Sequence, residues 1–237
     1  MMNMIKSNNM LAVCAALFLS SSTFTVQAQS ADGYPVHSGE IREALRLKEK
    51  GMTAQSTYNL AEIADKTGSA DAEGLSVLGD VLMRVPGYEN RINAFVAANP
   101  HSLYVTQIYF AHGLNRFDSG DYAFARKIFG LVELKDLYEG QKDEYLFRKA
   151  YCDLEAGRFK DALDGFYMVE KRPVTDFTAP SRYAIGYILY RNRDFSRAQE
   201  WFEKASVDDR FTDIASYYIL ECRFIRPMEC KAKNSST

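Results

Sequence analysis

The chain has 237 residues, 47% of them hydrophobic and 25% charged, which supports a packed core and excludes intrinsic disorder for most of its length. Its 29 Lys and Arg against 31 Asp and Glu leave a formal charge of −2, so the basic footprint of a nucleic-acid binder and the polybasic patch of a membrane-surface protein are both missing. Gly (14) and Pro (6) are too scarce for a turn-rich all-β domain, and helix is the better expectation; 15 Phe, 15 Tyr and one Trp need a structural home.

The first 28 residues read as a signal peptide. Lys6 supplies the positive start, Met10 to Leu19 the apolar run, and Val26-Gln27-Ala28 the small-residue pattern before cleavage. The run is too short to anchor in a bilayer. A lipoprotein signal at Leu11-Ala12-Val13-Cys14 fails because Val13 stands where a small residue is required. No later stretch approaches 18 apolar residues, so the expectation is an exported, periplasmic protein without an integral span, opening on a flexible segment, 29–37.

Four amphipathic helices follow, at Ser38–Lys50, Ala54–Lys66, Asp71–Arg84 and Tyr88–Ala98, broken by Gly51, Thr67-Gly68-Ser69 and Pro86-Gly87. From Thr106 onward the chain repeats itself. Tyr109, Gly113, Gly120, Tyr122, Ala125, Phe129 and Val132 recur 37 residues later as Leu146, Ala150, Gly157, Phe159, Ala162, Phe166 and Val169. A further 36 residues on, the same slots hold Arg182, Gly186, Arg193, Phe195, Ala198, Phe202 and Ala205. Aromatic, Ala, Phe and Val/Ala at i, i+3, i+7 and i+10 make one apolar helical stripe. The small residue on the preceding helix lets two backbones approach, with the Phe filling the gap to the next repeat. Gly120, Gly157 and Asn192-Arg193 mark the turn between them. All six prolines after residue 28 (Pro35, Pro86, Pro100, Pro173, Pro180, Pro227) fall between helices or in a first turn.

The runs "YFAHGLNRFDSGDYAFARKIFGLVEL", "LFRKAYCDLEAGRFKDALDGFYMVE" and "YAIGYILYRNRDFSRAQEWFEKA" resemble tetratricopeptide repeats, specifically those of exported bacterial proteins of that family. The resemblance implies an all-α, right-handed solenoid of antiparallel helix-turn-helix units. It covers residues 102–206 as three repeats (about 103–138, 142–172 and 178–206), with inter-repeat loops lengthened at Asp136–Gln141 and Pro173–Pro180. The family's initial Trp is replaced by Tyr109, Leu146 and Arg182. Residues 38–101 read as degenerate units of the same kind. Residues 211–225 read as the first helix of an incomplete fourth repeat or cap, with Pro227 near the expected turn and 226–237 as a disordered tail. Beyond Cys14, Cys152 reads as a small core residue, while Cys222 and Cys230 leave a pairing open.

No nucleotide, hydrolase, metalloprotease or calcium-loop motif is present, and no cofactor or metal is implied. His37, His101 and His112 are scattered and read as surface or boundary residues. The functional signal lies on the first helix of each pair, which in stacked repeats lines a concave surface. Its face carries Phe110, Leu114 and Phe117, then Phe147, Tyr151 and Leu154, then Tyr183, Tyr187 and Tyr190. An aromatic-lined groove of this kind suits an extended peptide or a helix, although the same stripe also fits packing between helices. Family grooves that clamp a carboxylate terminus carry Asn where Leu114, Tyr151 and Tyr187 stand, so the resemblance implies a different ligand. The expected function is a non-enzymatic scaffold binding a protein or peptide of the cell envelope. The alternative is the N-terminal part of a longer solenoid carrying a further carbohydrate-uptake or enzymatic module.

Overall fold

A computed structural model describes residues 38–234, with side chains as far as Ile225; the expected signal peptide and the segment 29–37 lie outside the described residues, as does the end of the tail. The described residues are all-α, with eleven helices, one 3-10 turn at Leu134–Asp136 and no strand. They form a helical repeat fold of the tetratricopeptide type, in two compact units that divide between Lys142 and Asp143.

The unit ending at Lys142 contains α1 (Gly39–Glu49), α2 (Thr53–Thr67), α3 (Ala70–Leu82), α4 (Tyr88–Ala98), α5 (Tyr104–Asp118) and α6 (Tyr122–Phe129). Ser38 and Ser69 cap α1 and α3, each accepting a hydrogen bond from a first-turn amide. Ile41, Ala44, Leu60 and Ala72 are the buried centre of α1 to α3, while Val77, Val81, Tyr88, Ile92, Phe95 and Ile108 join α3, α4 and α5. Phe95 stands 34 residues before Phe129 and is also fully buried, so the α3–α4 hairpin is a repeat whose pattern fades in the sequence. The reason is Arg91, which replaces the Ala found at that place in later repeats. Its guanidinium pairs with Asp80 and donates to Ser76 Oγ at 3.2 Å, so a charge satisfied by polar partners stands where a methyl group usually packs.

The second unit starts within α7 (Glu139–Glu155) and continues through α8 (Phe159–Glu170), α9 (Thr178–Arg191), α10 (Phe195–Ala205) and α11 (Thr212–Asn234). Its hairpins and the one before it close in the same way. Gly120, Gly157 and Arg193 adopt left-handed φ of +79°, +71° and +62°. In each case the next residue's amide reaches back five residues, Asp121 to Arg116, Arg158 to Asp153 and Asp194 to Leu189. That pair of features is the Schellman cap, which satisfies a helix's last carbonyls while reversing the chain. Asp121 and Asp194 then cap the following helices by accepting from Phe124 and Arg197 amides.

Small residues set how closely each hairpin's helices approach. A methyl group built on Gly113 would lie 2.5 Å from the Phe129 ring, and one on Gly186 would lie 2.9 Å from Phe202. Each Phe therefore fills its own hairpin, a correction to the sequence reading that sent it to the next repeat. In the α7–α8 hairpin the arrangement is reversed: Ala150 keeps its methyl because Gly165 faces it, 2.7 Å from a Cβ built there. Phe129, Phe166 and Phe202 are all fully buried, each contributing about 2 kcal/mol or more in transfer free energy.

Two expectations about the chain's end need correction. Residues 226–234 continue α11 as helix backbone rather than a disordered tail, and position 227 lies within it instead of at a turn. Met, Glu, Lys and Ala around it are good helix formers, and a single proline removes one i to i−4 hydrogen bond from a run of 23 residues. Cys222 is a free, fully buried thiol, which closes the question of its pairing.

Candidate protein-binding face

In the second unit α7 and α9 carry six of the nine sequence-assigned positions. Phe147 packs on Phe166 of α8 at 5.7 Å between ring centroids and on Phe177 at 5.6 Å. Tyr183 meets Phe202 of α10 at 5.6 Å and Phe211 at 5.4 Å. Phe110 in the first unit stands 6.4 Å from Phe129 of α6 in the same relation. These three positions are hairpin core and not a ligand surface, since each is at most 2% exposed and turned to its own second helix. Periodicity could not separate them from the rest, because core and groove positions are both apolar and one helical step apart.

The other positions keep a mixed character. Tyr151 is buried beside Phe147 and hydrogen-bonds Glu155, whose carboxyl is raised above its usual range by burial, with that bond opposing. Leu154 is buried one turn further along. Tyr187 lies edge-on to Tyr218 at 6.3 Å with the Arg191 guanidinium 5.9 Å over its ring. Tyr190, the one of the nine that is not buried, packs on Phe195 and Tyr218, and its hydroxyl donates to Glu221 Oε2 at 2.6 Å. Burial and then the adjacent Glu221 carboxylate push the Tyr190 phenol upward, so it stays a neutral donor. In the first unit Leu114 is buried and Phe117 is buried edge-on to Tyr122 at 5.1 Å.

Residues that the sequence did not single out organise this region. Tyr218 of α11 stacks on Phe202 at 5.0 Å with planes 15° apart and touches Tyr183, Tyr187, Tyr190 and Tyr217 edge-on. Burial lifts its phenol to about 12. Glu221, which accepts from Tyr190, also accepts from Tyr217, so one carboxylate serves two phenols. The 36-residue spacing from Arg182 to Tyr218 was a usable signal for this position. Below the face, Arg182 grips Glu170 through two hydrogen bonds of 2.9 and 3.1 Å, and Arg172 Nε donates to Asp143 Oδ1, locking α8 to the starts of α9 and α7.

His112 also departs from expectation. It is 4% exposed, not a surface residue, with Nδ1 2.9 Å from the Tyr88 hydroxyl and its ring edge-on to Tyr88 and Phe124. Burial, then the Arg116 charge, lower its pKa. The phenol partner is what makes an interior imidazole tolerable. Among the described residues no His, Cys, Asp or Glu cluster has a metal-ligand arrangement, and no helix is long and apolar enough to cross a membrane.

No protein-family model matches the sequence, and neither does any curated protein. Solved structures do. MamA of AMB-1 is similar over 72% of this chain and 90% of its own, with 18% identity and a TM-score of 0.56. MamA of MSR-1 is similar over 73% and 95%, with 17% identity and a TM-score of 0.52. At such identities the likeness shows a shared helical repeat fold.

Proposed function

We propose that this protein is a non-enzymatic, exported scaffold of the cell envelope that binds a protein or peptide partner through the first-helix face of its repeats. What carries the reading is the recurrence of large side chains at one register, Tyr151 and Leu154 on α7 and Tyr187 and Tyr190 on α9, with Arg191 and Glu221 as polar neighbours. Aromatic bodies with hydroxyl tips give apolar contact area together with hydrogen-bonding capacity, the combination that favours protein ligands. The charge balance argues against nucleic acid, and the apolar start of the sequence supports export.

Tyr151, Leu154 and Tyr187 are each less than a tenth exposed, so a partner reaches them only as the face opens. Association is therefore expected to be slower than the roughly 10⁵–10⁷ M⁻¹s⁻¹ of open-surface docking. The test is affinity capture from an envelope fraction with the wild-type chain and a Tyr151→Ala/Tyr187→Ala chain, each first shown to be folded. Partners retained by the wild type and lost by the variant support the reading; equal recovery by both refutes it. N-terminal sequencing of the protein recovered from the envelope tests export, with Gln29 as the expected first residue.

A further inference from the structure

The last helix carries an apolar stripe that nothing among the described residues covers. Leu220 is 64% and Phe224 71% exposed, with Tyr217 at 44% beside them, while the opposite side of α11 (Ala215, Tyr218, Cys222) is buried against the hairpin before it. Counting 36 residues back, the spacing that relates Tyr218 to Arg182, places Leu220 and Phe224 level with Ala184 and Ile188, and both of those positions are buried in α9. The stripe is thus the face that a first helix ordinarily lays against another helix.

We propose that this stripe pairs with the same stripe of a second copy, the two α11 helices lying antiparallel about a two-fold axis beside Leu220. Charge favours this occupant and this direction. The approach to α11 and its first turn hold Asp209 and Asp213, whereas its far end holds Arg223, Arg226, Lys231 and Lys233 against one Glu229. A parallel pair would set like charges together; an antiparallel pair sets each acidic end against the other copy's basic end. With the axis beside Leu220, position 213 faces position 227 and Tyr217 faces Arg223, so an aromatic ring meets a guanidinium on each side of the leucine contact.

The experiment is sedimentation of the purified protein across a concentration series reaching about 200 µM, since a contact of one helix per copy lies at the weak end of interfaces, on the order of 10 µM. A monomer–dimer equilibrium is expected. Leu220→Glu with Phe224→Glu raises the dissociation constant at least about 30-fold by burying like charges across the axis. Both positions are exposed, so an unchanged urea midpoint shows that the variant chain remains folded. For direction, Asp213→Arg weakens the dimer and Arg226→Asp added to the same chain restores it. A wild-type monomer at the highest concentration, or a dimer indifferent to the double Glu substitution, overturns the proposal. Failure of the second charge change to restore pairing overturns the antiparallel arrangement.

Discussion

Gly113→Ala puts the hairpin geometry to a quantitative test. A helix interior ordinarily gains about 1 kcal/mol from this change, because alanine restricts the unfolded chain and glycine does not. Here the added methyl group lies 2.5 Å from one Phe129 ring carbon and 2.7 Å from the next, well inside van der Waals contact. Phe129 is fully buried and cannot swing into solvent, so the helices must separate or the ring must leave its rotamer. Overpacking of that kind costs about 1–3 kcal/mol, which outweighs the propensity gain and leaves a net loss of about 1 kcal/mol. Gly186→Ala, with a nearest contact of 2.9 Å, should lose less. Gly140→Ala is the internal control, because nothing lies within 4 Å of its added methyl group, and it should be neutral or stabilising. Urea titrations followed by far-UV circular dichroism give the midpoints, with constant slope as the check that the same cooperative unit unfolds. Placed in a Phe129→Leu background, Gly113→Ala should become stabilising because the space is released. A midpoint shift of the same direction and size for Gly113→Ala and Gly140→Ala would refute overpacking against Phe129.

Gly157→Ala has open space around it but a φ of +71°, so backbone strain alone should destabilise it by about 1–2 kcal/mol in the same titration. Cys222 is fully buried and its thiol is pushed up to about 11 by burial, so at pH 8 a disulfide reagent should label it only as fast as α11 opens, as read by mass spectrometry in native and denaturing buffer. For His112 the sign follows from its lowered folded pKa: the unfolded state binds the proton more readily, so its contribution is complete above the ordinary value of 6.5 and is lost as pH falls below it. His112→Gln should flatten that part of the stability profile between pH 6.5 and 5 relative to wild type; an unchanged profile would count against the buried-imidazole account.

The repeat between α5 and α10 is readable because its slots are set by sterics that few residues satisfy. Only a small residue fits opposite Phe129 or Phe202, and the turn slot must tolerate a left-handed backbone, so sequence and structure converge at Gly113, Gly186, Gly120 and Gly157. The α3–α4 hairpin hides because Arg91 solves the same packing problem with hydrogen bonds that a hydropathy pattern does not register. On the first-helix face the stripe itself was legible but its division was not. Phe147 and Tyr151 share one stripe, and only the ring contact with Phe166 assigns the former to the hairpin core. The burial of His112 is hidden in the sequence for a related reason, since its acceptability inside depends on Tyr88, 24 residues away. Pro227 does not stop α11, because the helix-forming residues on both sides outweigh its local effect.

The segment between α8 and α9 has a practical consequence. Pro173 to Asp176 is exposed, Val174 at 79%, yet both flanks are fastened: Arg172 to Asp143 on one side, and the Thr178 hydroxyl accepting from the Thr175 amide on the other. Lengthening a connection of this type costs only about 0.6 kcal/mol per doubling, because its ends are already held in place. An epitope or a fluorophore-bearing peptide inserted after Val174 should therefore leave the adjoining hairpins intact, which gives this chain an internal labelling position independent of both termini.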